Sequence, residues 1–245
     1  MKLPVALQLW SVKEEMSRSV EETLQKVSAL GFDGVEFAGF FDVPAEEMKA
    51  MLDRCHLKVA GSHTQFDDLV NHIDDVISYN RVIGNSRIVC PWYDLKDEES
   101  LNTLIAGLKS AEPKLTAAGM TLYYHNHNHE FFKIGGEFAL DRLFASFGKD
   151  LLKPEIDTYW VFNAGVNPVD YCRKYQGRCD LIHLKDGTKS ASKPVGEGEV
   201  DIQAVLDVSC EIGAAWVIME DETWDPDGMT CVTTGMNNLK TKYNF

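Results

Sequence analysis

The chain has 245 residues, of which 44% are hydrophobic and 25% charged, and a formal net charge of −14. This describes a globular chain with a sizeable core, of a length ordinary for one α/β barrel domain over 1–245. The acidic balance argues against nucleic acid or anionic lipid as partner, and no stretch is long and apolar enough to span a bilayer.

Short β-prone runs alternate with longer amphipathic ones. A strand is expected over Val5–Val12, then a helix over Ser19–Leu30 with Val20, Leu24, Val27 and Leu30 on one face and a stop at Gly31. Gly34–Ala38 reads as a strand, Pro44–Cys55 as a helix opened by proline, Leu57–Ser62 as a strand, and Asp67–Ile83 as a helix closing on Gly84. Arg87–Pro91 and Met120–Asn126 read as strands flanking a helix over Glu98–Ala118, in which Pro113 marks a kink or break. A helix over Glu137–Phe147 leads to a strand over Pro154–Tyr159. Strands over Leu181–Lys185 and Trp216–Glu220 follow, with helices over Pro168–Tyr175, Ile202–Ile212 and Val232–Tyr243. Eight strands alternating with helices predict a (β/α)8 TIM barrel. A doubly wound open sheet is the rival, but no GxGxxG follows any strand; Gly196-Glu197-Gly198 lacks the third glycine and the strand before it.

Six cysteines, at 55, 90, 172, 179, 210 and 231, show no CxxC spacing and read as reduced thiols. The opening Met1-Lys2-Leu3-Pro4-Val5 lacks the features of a signal peptide, so a cytoplasmic location is expected.

The run His125-Asn126-His127-Asn128-His129-Glu130 holds three of the seven histidines and follows the β-prone Met120–Tyr124. Alternation along a strand would start His125, His127 and His129 on one side. A barrel carries its chemistry at the C-terminal ends of its strands. Those ends carry Gln8 and Trp10, Glu36, His63, Trp92, His125 and His127, Glu155 and Asp157, then His183, Lys185 and Asp186, and finally Glu220 and Glu222. Asp157, His183 and Glu220 come from successive strands and, with a histidine of the fifth, make a donor set for a divalent metal. A polar turn and a buried polar network are the bland alternatives.

These segments resemble the xylose isomerase-like barrel superfamily, in the branch called sugar phosphate isomerase/epimerase. The resemblance rests on Leu7–Val12, Gly31–Glu36, Cys90-Pro91-Trp92, Tyr124-His125-Asn126-His127 with Glu130-Phe131, Glu155–Trp160, His183–Gly187 and Gly196–Asp201. It implies a divalent ion (Mn, Co, Mg or Zn) held by Asp157, His183 and Glu220, with His125 where the ketose epimerases carry a glutamate. His125 is thus a ligand or an acid/base, and the paired-glutamate mechanism is put in doubt. Inosose dehydratase-like members also carry histidines there. The strand 8 segment reads Glu220-Asp221-Glu222 where relatives tend to read Glu-Gln-Asp.

The leading expectation is a metal-dependent isomerase/epimerase acting on a keto-sugar or related polyol through an enediolate. Glu220, His127 and Lys185 are the acid/base candidates. Lys185 needs a depressed pKa to serve as a base; its alternative is a structural ion pair with Asp186 or Glu155. Glu36 and His63 are expected to contact substrate hydroxyls or to orient other groups, and Trp10 and Trp92 to offer flat faces to a sugar, while Trp160 fits barrel packing as well. The runner-up is a lyase or dehydratase, of the inosose dehydratase type or acting on 3-keto-glycosides. Phosphodiester hydrolysis is disfavoured by the acidic charge, and a non-catalytic sugar-binding barrel is a minority reading. Oligomeric state and phosphorylation of the substrate stay open.

Overall fold

In a computed structural model describing residues 3–243, eight parallel strands close into a barrel. They are β1 (Val5–Gln8), β2 (Gly34–Phe37), β3 (Lys58–His63), β4 (Arg87–Cys90), β5 (Thr121–His125), β6 (Leu152–Asp157), β7 (Leu181–Leu184) and β8 (Trp216–Met219). Each pairs with the next, and β8 returns to β1 with Val217 opposite Val5. The (β/α)8 expectation therefore holds. Among the described residues no helix is long and apolar enough to cross a membrane. All six cysteines are free thiols, and only Cys210 is exposed.

Several boundaries differ from the sequence expectation, each for a local reason. β1 stops at Gln8 because the Gln8 side chain accepts the Trp10 N–H at 3.0 Å and turns Leu9–Val12 into a 3-10 helix. The expected helix over Asp67–Ile83 is two, Phe66–Asn71 and Ile73–Ile83, broken at His72 where φ is −128° and ψ 26°. Pro113 does not break its helix, which runs unbroken over Glu98–Ala117. Pro113 and Lys109, whose carbonyl loses its partner, are both exposed, so water can take the freed acceptor. β6 begins two residues before the expected Pro154 and ends at Asp157, whose carboxylate caps a helix over Thr158–Asn163 through the Trp160 N–H. The helix expected from Glu137 starts at Ala139, because Lys133–Ile134 and Glu137–Phe138 form a hairpin first.

The main apolar core lies between the strands and the outer helices. A second cluster of Ala6, Ala60, Val89, Tyr123, Leu181, Trp216 and Ile218 fills the barrel interior. Small residues offset large ones there, and Gly34 is a tight case: a Cβ on it would stand 2.6 Å from the Lys58 carbonyl oxygen and 2.9 Å from the Trp216 ring. Gly34→Ala is expected to cost about 1–3 kcal/mol. Gly148→Ala, whose nearest neighbour is at 3.5 Å, should leave stability nearly unchanged. Urea unfolding of both variants checks this.

Candidate active site

Inward positions recur every second residue, so the strand ends deliver polar groups at two levels above the apolar plug. His125 ends β5, Asp157 ends β6, His183 lies in β7 and Glu220 follows β8. These four are buried, and each offers a donor atom within 4.8 Å of the others. Glu36 and Glu155 belong to the second level, and the two central imidazoles join the levels. His125 Nδ1 lies 3.1 Å from Glu155 and its Nε2 3.8 Å from Asp157 Oδ2. His183 Nε2 lies 2.7 Å from Glu36 and its Nδ1 3.2 Å from Glu220. A carboxylate that accepts one ring N–H fixes the tautomer and leaves the other nitrogen free to ligate.

Glu36 is fully buried and also engages Gln8 Nε2 at 2.8 Å and His63 Nε2 at 3.1 Å. Its space exists because Gly61 has no side chain: a Cβ there would stand 2.5 Å from Glu36 Oε1. The β2–β3 register shifts between Val35 and Glu36, bringing Gly61 opposite. His63 Nε2 bridges Glu36 and Glu155, the latter at 2.9 Å.

The charges follow from these contacts. Burial alone would raise Glu36, but the imidazoles of His63 and His183 outweigh it and hold the carboxyl well below its usual range. Burial works against a charged His63, yet Glu36 and Glu155 push it up to about 10. His183 is raised in the same way by Glu155 and Glu36. Burial, with the neighbouring His183, drives His125 well below the usual imidazole range, so its ring is neutral. Burial lifts Asp157 to about 7 against the pull of Lys185.

The donor set suits a divalent cation. Asp157 Oδ1 accepts the Trp160 N–H at 2.9 Å, whereas Oδ2 is buried with no hydrogen-bond partner. An orphaned carboxylate oxygen facing a neutral imidazole nitrogen is costly unless something positive sits between them. Two carboxylates and two imidazoles are an ordinary ligand set for a first-row transition ion.

Lys185 is corrected by its surroundings. Its side chain is 1% exposed; the ammonium contacts Glu222 and lies 3.4 Å from Glu220. Burial disfavours its charge, but Glu220, Asp157 and Glu222 together raise its pKa above the ordinary lysine value. Among these carboxylates it is held as an ammonium. Its ion-pair partners are Glu220 and Glu222, not Asp186 or Glu155. Asp186 turns instead to the backbone N–H groups of Gly187, Gly196, Gly198 and Val200.

The histidine run divides. His127 stays beside His125 with ring centroids 5.0 Å apart, and its buried Nδ1 has no partner. Burial and then Lys185 push it down to about 3. His129 leaves the site, its Nε2 reaching the Tyr93 carbonyl at 2.9 Å, because the strand has ended and His129–Phe131 is a 3-10 turn. Glu130 braces that turn from a fully buried position, accepting the His127 N–H at 2.8 Å and the Tyr124 hydroxyl at 3.0 Å. The sequence placed Glu155 at the rim and Glu130 beside it but gave neither a role in the site. The signals were an acid three residues beyond His127 and the two-residue spacing of Glu155 from Asp157.

Comparison with known proteins now decides the family. The profile of the xylose isomerase-like TIM barrel family matches residues 24–230. The chain belongs to that family. It is 21% identical to an inosose dehydratase of Lacticaseibacillus casei, over 82% of each chain. A sugar phosphate isomerase/epimerase of Parabacteroides distasonis superposes with a TM-score of 0.86 at 19% identity, covering 98% of this chain and 94% of that one. A D-allulose 3-epimerase of Methylomonas sp. gives 0.78 at 11% identity over 98% of both chains. The family thus brings epimerase and dehydratase relatives to the same barrel.

As in other members of this fold, the strand ends open into a cavity, here of about 270 Å³. His63, His125, His127, Glu220 and Glu222 line it, and Glu36 lies beneath. Trp10 and Trp92, 40% and 48% exposed, flank the opening. Trp10 donates to Glu222 at 3.2 Å. Trp160 packs on His127 and Tyr159 and does not line the cavity.

The raised pKa of His63 sets a pH window. A folded value of about 10 against the ordinary imidazole value of 6.5 means that its contribution to stability is complete below pH 6.5 and is lost as pH rises through 10. Denaturant unfolding of EDTA-treated protein across that window should show this decline, and His63→Gln should flatten it.

Proposed function

We propose that the protein is a divalent-metal-dependent enzyme that enolises a keto-sugar or related polyol. His125, Asp157, His183 and Glu220 would hold the ion. The observation that carries this reading is the unpartnered, buried Asp157 Oδ2 facing the neutral His125 ring among those four donors. Bound there, the ion supplies a Lewis acid for the substrate carbonyl and the negative charge that develops on it. Glu155 and Glu36 act through the two imidazoles, orienting His125 and His183 without touching substrate. His127 lines the cavity with a neutral ring, which takes the proton α to the carbonyl. Trp10 and Trp92 present apolar faces to the sugar, and the charged His63 donates to its hydroxyls.

Reprotonation at carbon makes the enzyme an isomerase/epimerase, the expected outcome of the family's epimerase branch. One feature favours the lyase reading. Lys185 is held as an ammonium against Glu222, which lines the cavity, so that pair can protonate an oxygen leaving from the carbon β to the carbonyl. The electrons of the broken C–H bond then form the new carbon–carbon double bond.

Purified protein should carry a single divalent ion per chain, absent from Asp157→Ala and His183→Ala. His127→Phe should keep the ion and lose about 10²–10⁴-fold in exchange of the α-proton in D₂O. Loss of the ion from His127→Phe would place that residue among the ligands instead. Lys185→Gln separates the two outcomes: in a lyase it should keep proton exchange but slow product formation about 10²-fold or more. NMR of the keto-sugar reads both.

A further inference from the structure

Two features adjoin the site: a second cavity beside the first, and the loop after β7. The second cavity, of about 310 Å³, shares Ala38, His63 and Gln65 with the first and continues to Phe40, Val76 and Tyr79. Phe40 and Tyr79 stack there with centroids 3.8 Å apart, and the Tyr79 hydroxyl is engaged by the Val43 carbonyl. Asp68 and Asp75 also line it, and neither cavity is lined by a lysine or arginine. Of the cations nearby, His63 is already engaged by Glu36 and Glu155 and Lys185 by Glu220 and Glu222, while Lys13 lies 4.0 Å over the Trp10 ring at the opening.

A TIM barrel that binds a phosphate group usually does so with backbone N–H groups of the loops after strands 7 and 8. Here those donors meet the protein's own carboxylates. Asp186 accepts from Gly196 and Gly198 through Oδ2, both at 2.9 Å, and from Gly187 and Val200 through Oδ1, at 2.7 and 3.1 Å. The loop wraps this carboxylate so closely that a Cβ on Gly198 would stand 2.1 Å from Oδ1. The helices that follow β7 and β8 are capped in the same way, by Asp201 on the Ala204 N–H and by Asp227 on the Thr230 N–H, at 3.0 and 2.8 Å. A phosphate ester would enter a cleft bordered by Glu222, Asp68 and Asp75, and among the described residues the backbone donors after β7 and β8 are already taken.

We infer that the site takes an uncharged sugar carrying a second ring, a glycoside or disaccharide, and excludes sugar phosphates. The inference rests on the sugar-enolising reading above and names its substrate class. The reacting sugar occupies the cavity above His125 and His127. The second ring lies across Ala38 and Gln65 against the Phe40–Tyr79 pair, where an aromatic face suits the apolar side of a sugar or an aryl group.

The test is saturation-transfer NMR on Mn²⁺-free, Mg²⁺-loaded protein with a pool of hexoses, their 6-phosphates and neutral disaccharides. Disaccharide signals are expected, with affinity about tenfold or more above the matching hexoses, and none from the phosphates. Phosphates binding as well as hexoses would overturn the exclusion, and hexoses binding as well as disaccharides would overturn the second-ring site. Either result leaves the enolising function intact if a keto-sugar still exchanges its α-proton in D₂O. Absence of every sugar signal would overturn the inference together with that reading. Asp186→Ala gives an independent check: inorganic phosphate should raise its melting temperature by refilling the vacated cradle and leave the wild type unmoved. A phosphate response of the wild type would overturn the exclusion.

Discussion

Everything at the mouth of this barrel depends on how four buried carboxylates, Glu36, Glu155, Asp157 and Glu220, share too few cations. Isolated carboxylates at such depth would protonate, because desolvation of a charge is far costlier than any single hydrogen bond returns. The chain answers with His63 and Lys185, each contacting two carboxylates, and His183, which contacts three. The result is graded, not uniform. The imidazoles and Lys185 hold Glu36 and Glu220 firmly ionised, while burial leaves Asp157 and Glu155 with raised pKa values. The deficit of positive charge is therefore local, and it falls beside His125, an imidazole that burial keeps neutral.

The closed barrel was legible in the sequence because its cause is repeated eight times: a β-prone run, a polar end, an amphipathic helix. Exact strand ends were not, because single side chains decide them. Gln8 folds back on Trp10, and Asp157 serves at once as the last strand residue and a helix cap. The upper donor set was legible for a related reason, since each member ends or follows a strand. Glu36 and His63 were visible as polar strand ends, but their relation to His183 arises across the barrel, between residues 147 positions apart in the case of Glu36. No local pattern encodes that contact. Lys185 shows the same limit: sequence proximity suggested Asp186 or Glu155, whereas closure of the barrel brings it Glu220 and Glu222 from the next strand end.

The acidic triplet after β8 connects the two halves of the site. Glu220 belongs to the donor set, Asp221 accepts the Thr223 N–H at 2.7 Å and shapes the turn, and Glu222 ties Lys185 to Trp10. The longer side chain at 222 thus has a physical use. It spans from a buried ammonium to an aromatic ring at the opening, which makes the position of the rim depend on the charge state of the interior.

Such a mouth carries a cost that the rest of the fold must offset. Buried polar clusters contribute little net stability even when fully paired, and orphaned atoms such as Asp157 Oδ2, Glu36 Oε1 and Glu155 Oε1 subtract from it. The offset lies lower in the barrel and outside it. The interior plug around Trp216 and Ile218 is apolar, and the strand–helix layer is a continuous apolar core. Even the loop that would most readily accept an outside anion is closed by Asp186, which converts a ligand site into a structural joint between β7 and the helix after it. The apolar plug lies at one end of the strands and the polar cluster at the other, and Asp186 ties that polar end to the scaffold through four backbone N–H groups.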